Sequence, residues 1–423
     1  MDHLDQHNIL VDYQHGFRKN HSCETQLIST LESISRSHDK KKQVDLIVLD
    51  FSKAFDTVAH QRLLQKLGQV GIRNTHHASS CDTLTCKGEC EQRLLTWFKN
   101  WLCNRTQKVV LEGQASNVAR VTSGVPQGTV LGPLCFLVFI NDIGNEISTE
   151  TSLKLFADDS LIFREIATEE DSKILQQDLD SLIQWAEKWQ MSFHPAKCQV
   201  MTVQQQRRTQ KFKYKMLDHP LQQVDTIQYL GVHIQQDLKW DKHVNHIVTK
   251  ANRSLGFVKR NLHQCPQSVK AQAYQTLVRP VLEYASTAWD PHLKKHATMI
   301  ESVQRRAARF VTHCRAREPG CVTQAMETLK WKPLETRRRH ARLTQMYRTT
   351  NGHTTTIAIP PYFTPQSNRY RTRNHHSSKF ITPHTRTNIY KNSFFPRTIV
   401  DWTNLPNQTI NSLSISTFQQ DLN

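Results

Sequence analysis

The chain has no run of about 18 apolar residues, which excludes an ordinary membrane-spanning helix. Its almost continuous apolar stretch, Val130 to Ile140, is too short to cross a bilayer. No signal-peptide pattern follows Met1. The ten cysteines lack the spacing of a secreted disulfide framework and read as reduced intracellular thiols. Acid is scarce as well: 37 Asp and Glu against 55 Lys and Arg leave a net charge of +18 and a pI near 9.5. That excess calls for a polyanionic partner. Nucleic acid suits it better than an acidic membrane surface, because neutralising phosphates releases counterions. The apolar fraction of 38% is low but supports globular packing, and 423 residues allow more than one domain.

The few acids that are present fall at telling places. Residues 155 to 163 read Leu-Phe-Ala-Asp-Asp-Ser-Leu-Ile-Phe. Two short apolar runs flank Asp158 and Asp159, which predicts two strands joined by a tight turn. Adjacent carboxylates in a folded core are costly unless a cation sits beside them, and hard oxygen ligands suit magnesium. Asp is also a common turn residue, so this pair alone is a moderate signal. Upstream, Val44 to Leu49 is a mostly apolar, β-branched run that ends on Asp50. It predicts a central strand, with a helix from Thr57 to Leu67 after it. Asp50 then sits at a strand end; a helix N-cap is its bland alternative. Between the two acidic stations, Ser123-Gly124-Val125-Pro126-Gln127-Gly128-Thr129 predicts a turn into a buried helix over Val130 to Ile140.

With further blocks these pieces resemble the reverse transcriptase of a non-LTR (LINE, jockey-like) retrotransposon. The matching blocks are Gln14-His15-Gly16-Phe17-Arg18, Asp50 to Asp56, Ser123 to Asp142, Phe156-Ala157-Asp158-Asp159, Phe193-His194-Pro195-Ala196-Lys197-Cys198 and Tyr229-Leu230-Gly231-Val232. They stand in the family's order over roughly the first half of the chain. Arg305-Arg306-Ala307 and Phe394-Phe395-Pro396 resemble, more loosely, the region after the polymerase in such elements. A group II intron-type enzyme is the neighbouring reading. Those relatives usually carry Tyr before Ala-Asp-Asp, where Phe156 stands here, and Leu131-Gly132-Pro133-Leu134 and Ile140-Asn141-Asp142 favour the LINE type.

The resemblance implies an α+β fold: a right-hand polymerase palm, an antiparallel sheet packed by helices, with partial fingers and a helical thumb. It implies residual fingers over 1–43, palm over 44–235, thumb over 236–320 and a basic, partly disordered C-terminal region over 321–423. It implies RNA-directed DNA synthesis with two Mg2+ ions, an RNA template, a DNA primer, deoxynucleoside triphosphates and no membrane, inside the cell and at nuclear sites of integration. By the same resemblance Asp50, Asp158 and Asp159 are catalytic, and Asp50, Asp158 and the Phe51 carbonyl hold metal. Phe55 stacks under the incoming sugar and excludes a 2′-hydroxyl; its alternative is a core aromatic. Gln127, Gly128 and Lys197 serve the nucleotide, Lys197 as a proton donor to pyrophosphate or else a surface lysine. Tyr229, Leu230 and Gly231 form the primer grip, or an ordinary hairpin.

Helical spacing of Leu175, Leu179, Leu182, Ala186 and Trp189 predicts an amphipathic helix over 172–189, started by a Thr168–Asp171 capping box. From Trp240 onward, Val244 to Leu262, Val269 to Tyr284 and Thr298 to Val311 read as helices with basic faces. Those faces carry Lys250, Arg253, Lys259 and Arg260, then Arg305, Arg306 and Arg309. By resemblance they track the template–primer duplex; the plain alternative is a solvated face. Further basic clusters stand at Arg337-Arg338-Arg339 and Arg369 to Arg373, and 349–387 is rich in Thr, Pro, Asn, His and Arg. No Cys-Cys-His-Cys knuckle ends the chain. His76, His77, Cys81, Cys86 and Cys90 have zinc-binding residue types but no usual finger spacing. They fall in about 74–92, which interrupts the family pattern. Family members also place strands, an arginine-bearing fingers segment and an endonuclease domain before the Gln14 block. The expectation is therefore a shortened polymerase, or an inactive remnant that binds nucleic acid.

Overall fold

The computed structural model describes residues 1–72, 93–205, 212–314, 320–353 and 380–422. The histidine–cysteine group of 76–90, the proposed insertion and Arg369 to Arg373 lie outside the described residues. Two units divide the chain. The first comprises Met1–Lys19, Asp45–Val200 and Gln210–Val224; the second comprises Asn20–Val44, Met201–Thr209 and Asp225–Asn423.

The first unit is built on five strands: β1 (Gln43–Leu49), β2 (Ser152–Phe156), β3 (Asp159–Ile166), β4 (Gln199–Val203) and β5 (Gln222–Gln223). Their spatial order is β5-β4-β1-β3-β2. β1 is central because its apolar run leaves both faces fit for burial, and all but one of its residues are buried. β2 and β3 pair antiparallel from Ser152↔Phe163 to Phe156↔Asp159. The expected antiparallel sheet needs one correction, since β5 runs parallel to β4. A hairpin, Lys215–Met216 with His219–Pro220, lies between them in the chain and turns it back before β5 joins. The fold is thus mixed α/β.

Helices cover this sheet. α1 (His60–Gln69), α2 (Leu131–Ile140) and α3 (Glu169–Lys188) belong to the first unit. α2 is apolar on every side, so it is buried rather than amphipathic. α3 starts at the expected capping box of Thr168 and Asp171. Leu175, Leu179, Leu182, Ala186 and Trp189 are all buried, as their spacing required.

In the second unit, helix Cys23–Asp39 packs against Ser286–Trp289, Asn388–Lys391 and Phe394–Thr403. α4 (Asp241–Asn261), α5 (Lys294–Thr312), α6 (Leu334–Thr350) and α7 (Phe394–Thr403) carry most of the unit's core. The predicted helix over 269–284 holds a π-helical turn at Tyr274–Val278. The expectation of reduced thiols is corrected at one pair: Cys314 and Cys321 form a disulfide, their Cα atoms 6.1 Å apart and so within bridging reach. Among the described residues no helix is long and apolar enough to cross a membrane.

Candidate active site

Asp50 follows the last residue of β1, and its backbone is held from both sides by the Phe193–Cys198 block. Its carbonyl accepts from His194 N–H at 2.8 Å and its own N–H meets Cys198 Sγ at 3.5 Å. Burial pushes the Cys198 thiol up to about 11, so it stays neutral. One residue on, Phe51 bridges to Phe193 and the two rings stack with centroids 4.2 Å apart. The sequence reading took Lys197 from this block; the rest of it is the clamp on Asp50.

Asp158 and Asp159 occupy the β2–β3 turn as expected. The first turn residue, Ala157, has φ +56°, a conformation costing a non-glycine about 1–2 kcal/mol. Gln14 offsets that cost. Its Oε1 accepts from Ala157 N–H at 2.9 Å and from Gly16 N–H at 2.7 Å, while its Nε2 donates to Ala157 O at 3.3 Å. Tyr13, Gln14 and His15 run alongside Leu155 through two backbone hydrogen bonds of 2.9 Å. Gly16 must be glycine here, since a Cβ would stand 2.3 Å from Ala157 N. The block is visible in the sequence, but its role is not. Nothing in the local pattern announces that Gln14 meets a turn 143 residues away.

Asp50 lies within electrostatic reach of Asp158 and Asp159. Burial raises the Asp158 carboxyl, and the charge of Asp50 adds to it. Partial burial, then the charges of Asp158 and Asp50, push Asp159 up to about 6. Mutual repulsion of this kind requires the side chains to share one region. Lys197 Nζ lies 3.1 Å from Asp50 Oδ2. That oxygen is buried and has no hydrogen-bond donor among the described residues. Neighbouring carboxylates, one of them with an oxygen that, among the described residues, only the Lys197 ammonium approaches, are a donor set suited to hard divalent cations. Among the described residues, no three His, Cys, Asp or Glu side chains are already drawn together as a metal cluster.

Of the residues expected to serve the nucleotide, Phe55, Gln127 and Gly128 lie on the segments that meet at the turn before α2. The half-buried Phe55 ring stacks on Phe136 at 4.4 Å and meets the edge of Phe17 at 6.3 Å. Val125 N–H donates to Phe55 O at 2.9 Å, so the turn before α2 is fastened to the Phe55 backbone. Gln127 is exposed, and its Nε2 donates to Asp56 Oδ1 at 2.8 Å. Gly128 is exposed with φ +75°.

In the second unit, Thr226–Tyr229 pairs antiparallel with Val232–Gln235 around Leu230-Gly231. Both turn residues have positive φ, +46° and +78°, the demand of a tight hairpin that Gly231 meets without strain. Tyr229 is buried and accepts from Gln26 Nε2 at 3.1 Å. Tyr284 OH donates to Leu230 O at 3.1 Å. On α4 and α5, Arg260 and Arg305 are exposed, whereas Lys259, Arg306 and Arg309 are half-buried. Burial and the charges of Arg306 and Arg309 lower Lys259, so these three cations are neighbours.

A mixed α/β unit with one acid after its central strand and two at the turn of the neighbouring hairpin is the setting in which the family appears. Residues 1–234 match the model of the family described as reverse transcriptase (RNA-dependent DNA polymerase), and the chain belongs to that family. It is 26% identical over 318 residues to the probable RNA-directed DNA polymerase from transposon X-element of Drosophila melanogaster, covering 74% of this chain and 33% of that protein. It is 26% identical over 335 residues to the RNA-directed DNA polymerase from mobile element jockey of Drosophila funebris, covering 73% and 33%. The chain thus spans about a third of the length of the curated relatives it matches. The likeness to jockey-type elements read from the ordered motifs is borne out. Among solved structures, apo telomerase from Candida tropicalis aligns with a TM-score of 0.39 at 11% identity, over 80% of this chain and 55% of that one. A likeness that slight carries no weight for the fold.

Proposed function

We propose that this chain is the polymerase region of a mobile-element enzyme that copies RNA into DNA. The reaction joins a primer 3′-hydroxyl to the α-phosphate of a deoxynucleoside triphosphate. An oxygen–phosphorus bond forms, the bond to pyrophosphate breaks, and the hydroxyl proton leaves. The observation that carries this reading is the position of Asp50 at the end of β1 within electrostatic reach of Asp158 and Asp159, its charge adding to the proton affinity of both.

Asp50, Asp158 and the Phe51 carbonyl would hold two Mg2+ ions, which when bound supply Lewis-acid stabilisation of the attacking and leaving oxygens. Asp159 supports Asp158 from the next position. Gln14 fixes the backbone under Asp158, and the Phe193–Cys198 block fixes the backbone of Asp50. The Phe55 ring, backed by Phe136, walls off the position of a 2′-hydroxyl, the group that separates RNA from DNA building blocks. Asp56 takes the Nε2 of Gln127, which leaves Oε1 as an acceptor at the nucleotide pocket beside Gly128. Lys197 is the general acid for departing pyrophosphate.

In this reading 44–235 is the palm with 1–43 as residual fingers, 236–320 the thumb and 321–423 a basic C-terminal region. The Tyr229–Gly231 hairpin is the primer grip. Lys259, Arg260, Arg305, Arg306 and Arg309 face the RNA–DNA hybrid, and the enzyme works at nuclear sites of integration. The test is primer extension on an RNA template with Mg2+. Asp158→Asn, which keeps shape and removes charge, should keep the fold and lose rate by orders of magnitude. No extension by the wild-type chain would leave the inactive, nucleic-acid-binding remnant as the reading, and undiminished extension by that variant would sink the metal assignment.

A further inference from the structure

On α6, Arg338 and Arg342 stand one turn apart, so their side chains share a face. That face is interior: the two side chains are 1% and 2% exposed. The sequence placed Arg338 in a basic run, yet it is core. One buried carboxylate, Asp290, receives Arg338 Nε at 2.7 Å, Arg342 Nε at 2.9 Å and Arg397 Nη1 at 3.2 Å. Asp401 is the second acid, 2.9 Å from Arg342 and 3.3 Å from Arg339. Four guanidinium groups meet two carboxylates, an excess of two positive charges. Arg342 also donates to Thr398 Oγ1 at 3.1 Å. Both Nη atoms of Arg338, by contrast, are buried without an acceptor among the described residues. Those atoms lie inside the cluster and not on the cleft beside it, so it is the net positive charge of the cluster that favours an anion nearby.

Beside the cluster opens a cleft of about 650 Å³, well inside the range of about 300–1,000 Å³ for ligand sites. Arg339, Arg342, Arg397 and Lys391 line it, with the hydroxyls of Thr336 and Thr385. We propose that this cleft binds the phosphodiester backbone of a single nucleic-acid strand, adjacent phosphates supplying the two missing negative charges. Guanidinium forks match phosphate oxygens in bidentate fashion, and threonine and lysine add point donors. No aromatic ring lines the cleft among the described residues, so bases find nothing to stack on and binding is indifferent to sequence. Glu335 and Asp401 on the same walls keep the site from being a plain cationic surface. The cleft contains none of the proposed catalytic residues, so it stands or falls apart from the polymerase reading.

The test uses the full chain and a five-nucleotide oligouridylate carrying 4-thiouridine. Photo-crosslinks mapped by mass spectrometry should fall on the two walls of the cleft, residues 333–342 and 382–401. Binding is followed by anisotropy across a salt series. Arg339→Gln with Lys391→Gln changes two exposed positions and leaves Arg338, Arg342 and Asp290 intact, so thermal unfolding should not move. The crosslinks should disappear, and the salt slope should drop by about 1.4, at about 0.7 per phosphate contact on a single strand. Glu335→Gln should tighten binding. Crosslinks that map elsewhere, or that survive in the double variant, would overturn the proposal. So would equal competition by a pentaglutamate peptide, which would make the cleft a generic anion site.

Discussion

Gln14→Met is the sharpest test of how the β2–β3 turn is held. Met keeps the length and volume of the side chain and removes its amide. Three hydrogen bonds go with it: those from Ala157 N–H at 2.9 Å and Gly16 N–H at 2.7 Å, and that to Ala157 O at 3.3 Å. Each backbone group left buried and unpaired costs about 1–3 kcal/mol. The carbonyl bond is long, and the Leu155 ladder stays in place, so the expected net loss is about 2–4 kcal/mol. The assay is hydrogen exchange at the Ala157 amide, which reads local opening rather than global unfolding. A loss of 2 kcal/mol speeds that exchange about 30-fold, since each 1.4 kcal/mol is a factor of ten. Gln14→Glu keeps an acceptor for the two N–H groups and should show a smaller effect. Unchanged protection of Ala157 in Gln14→Met would refute the clamp. If the clamp holds, extension should fall in parallel with protection, because Asp158 is the next residue along the turn.

Three further outcomes are expected. Phe55→Val should raise the ratio of ribo- to deoxynucleotide specificity constants, because the ring backed by Phe136 is gone; an unchanged ratio in an active variant makes Phe55 a core residue only. Neutralising Arg305, Arg306 and Arg309 should flatten the salt dependence of binding to an RNA–DNA hybrid by up to about 0.9 per lost contact, the duplex value; constant affinity and slope would leave them a solvated face. Burial, aided by the charges of His233 and His246, pushes His243 down to about 3, against about 6.5 unfolded. The unfolded chain therefore binds the proton first. The second unit should lose stability as pH falls from about 6.5 toward 3, by up to about 1.4 kcal/mol per pH unit from this group. His243→Gln should flatten that limb in urea titrations, and an identical limb in both proteins would remove His243 as the cause.

What the sequence made legible was whatever is written in short periods. β1 announced itself by a β-branched run ending in acid, α2 by an unbroken apolar stretch, α3 by its capping box and leucine stripe. Asp50 and Asp158 were legible as candidate site residues because each follows such a run, and Phe55 only through the resemblance to the family. The fastenings of the site were not. Gln14 acts on Ala157 across 143 residues, and a glutamine carries no periodicity that reveals a partner. The Phe193–Cys198 block offered a lysine to the eye, while His194 and Cys198 hold Asp50 through backbone groups that any residue possesses.

The arginines of α6 misled for the opposite reason. Arg337-Arg338-Arg339 reads as one basic run, since charge is visible residue by residue and burial is not. On a helix, three consecutive residues point in three directions about 100° apart. Arg338 turns inward to Asp290 with Arg342, Arg337 lies against Glu283, and Arg339 stays nearly half exposed beside Asp401. The helical period that should have separated these roles was masked by identical side chains. A basic run on a helix therefore divides into a face that can meet solvent or nucleic acid and a face that must find acids inside the protein. Here the inner face finds two carboxylates for its guanidinium groups and those of Arg339 and Arg397. The remaining charge directs attention to the cleft beside it.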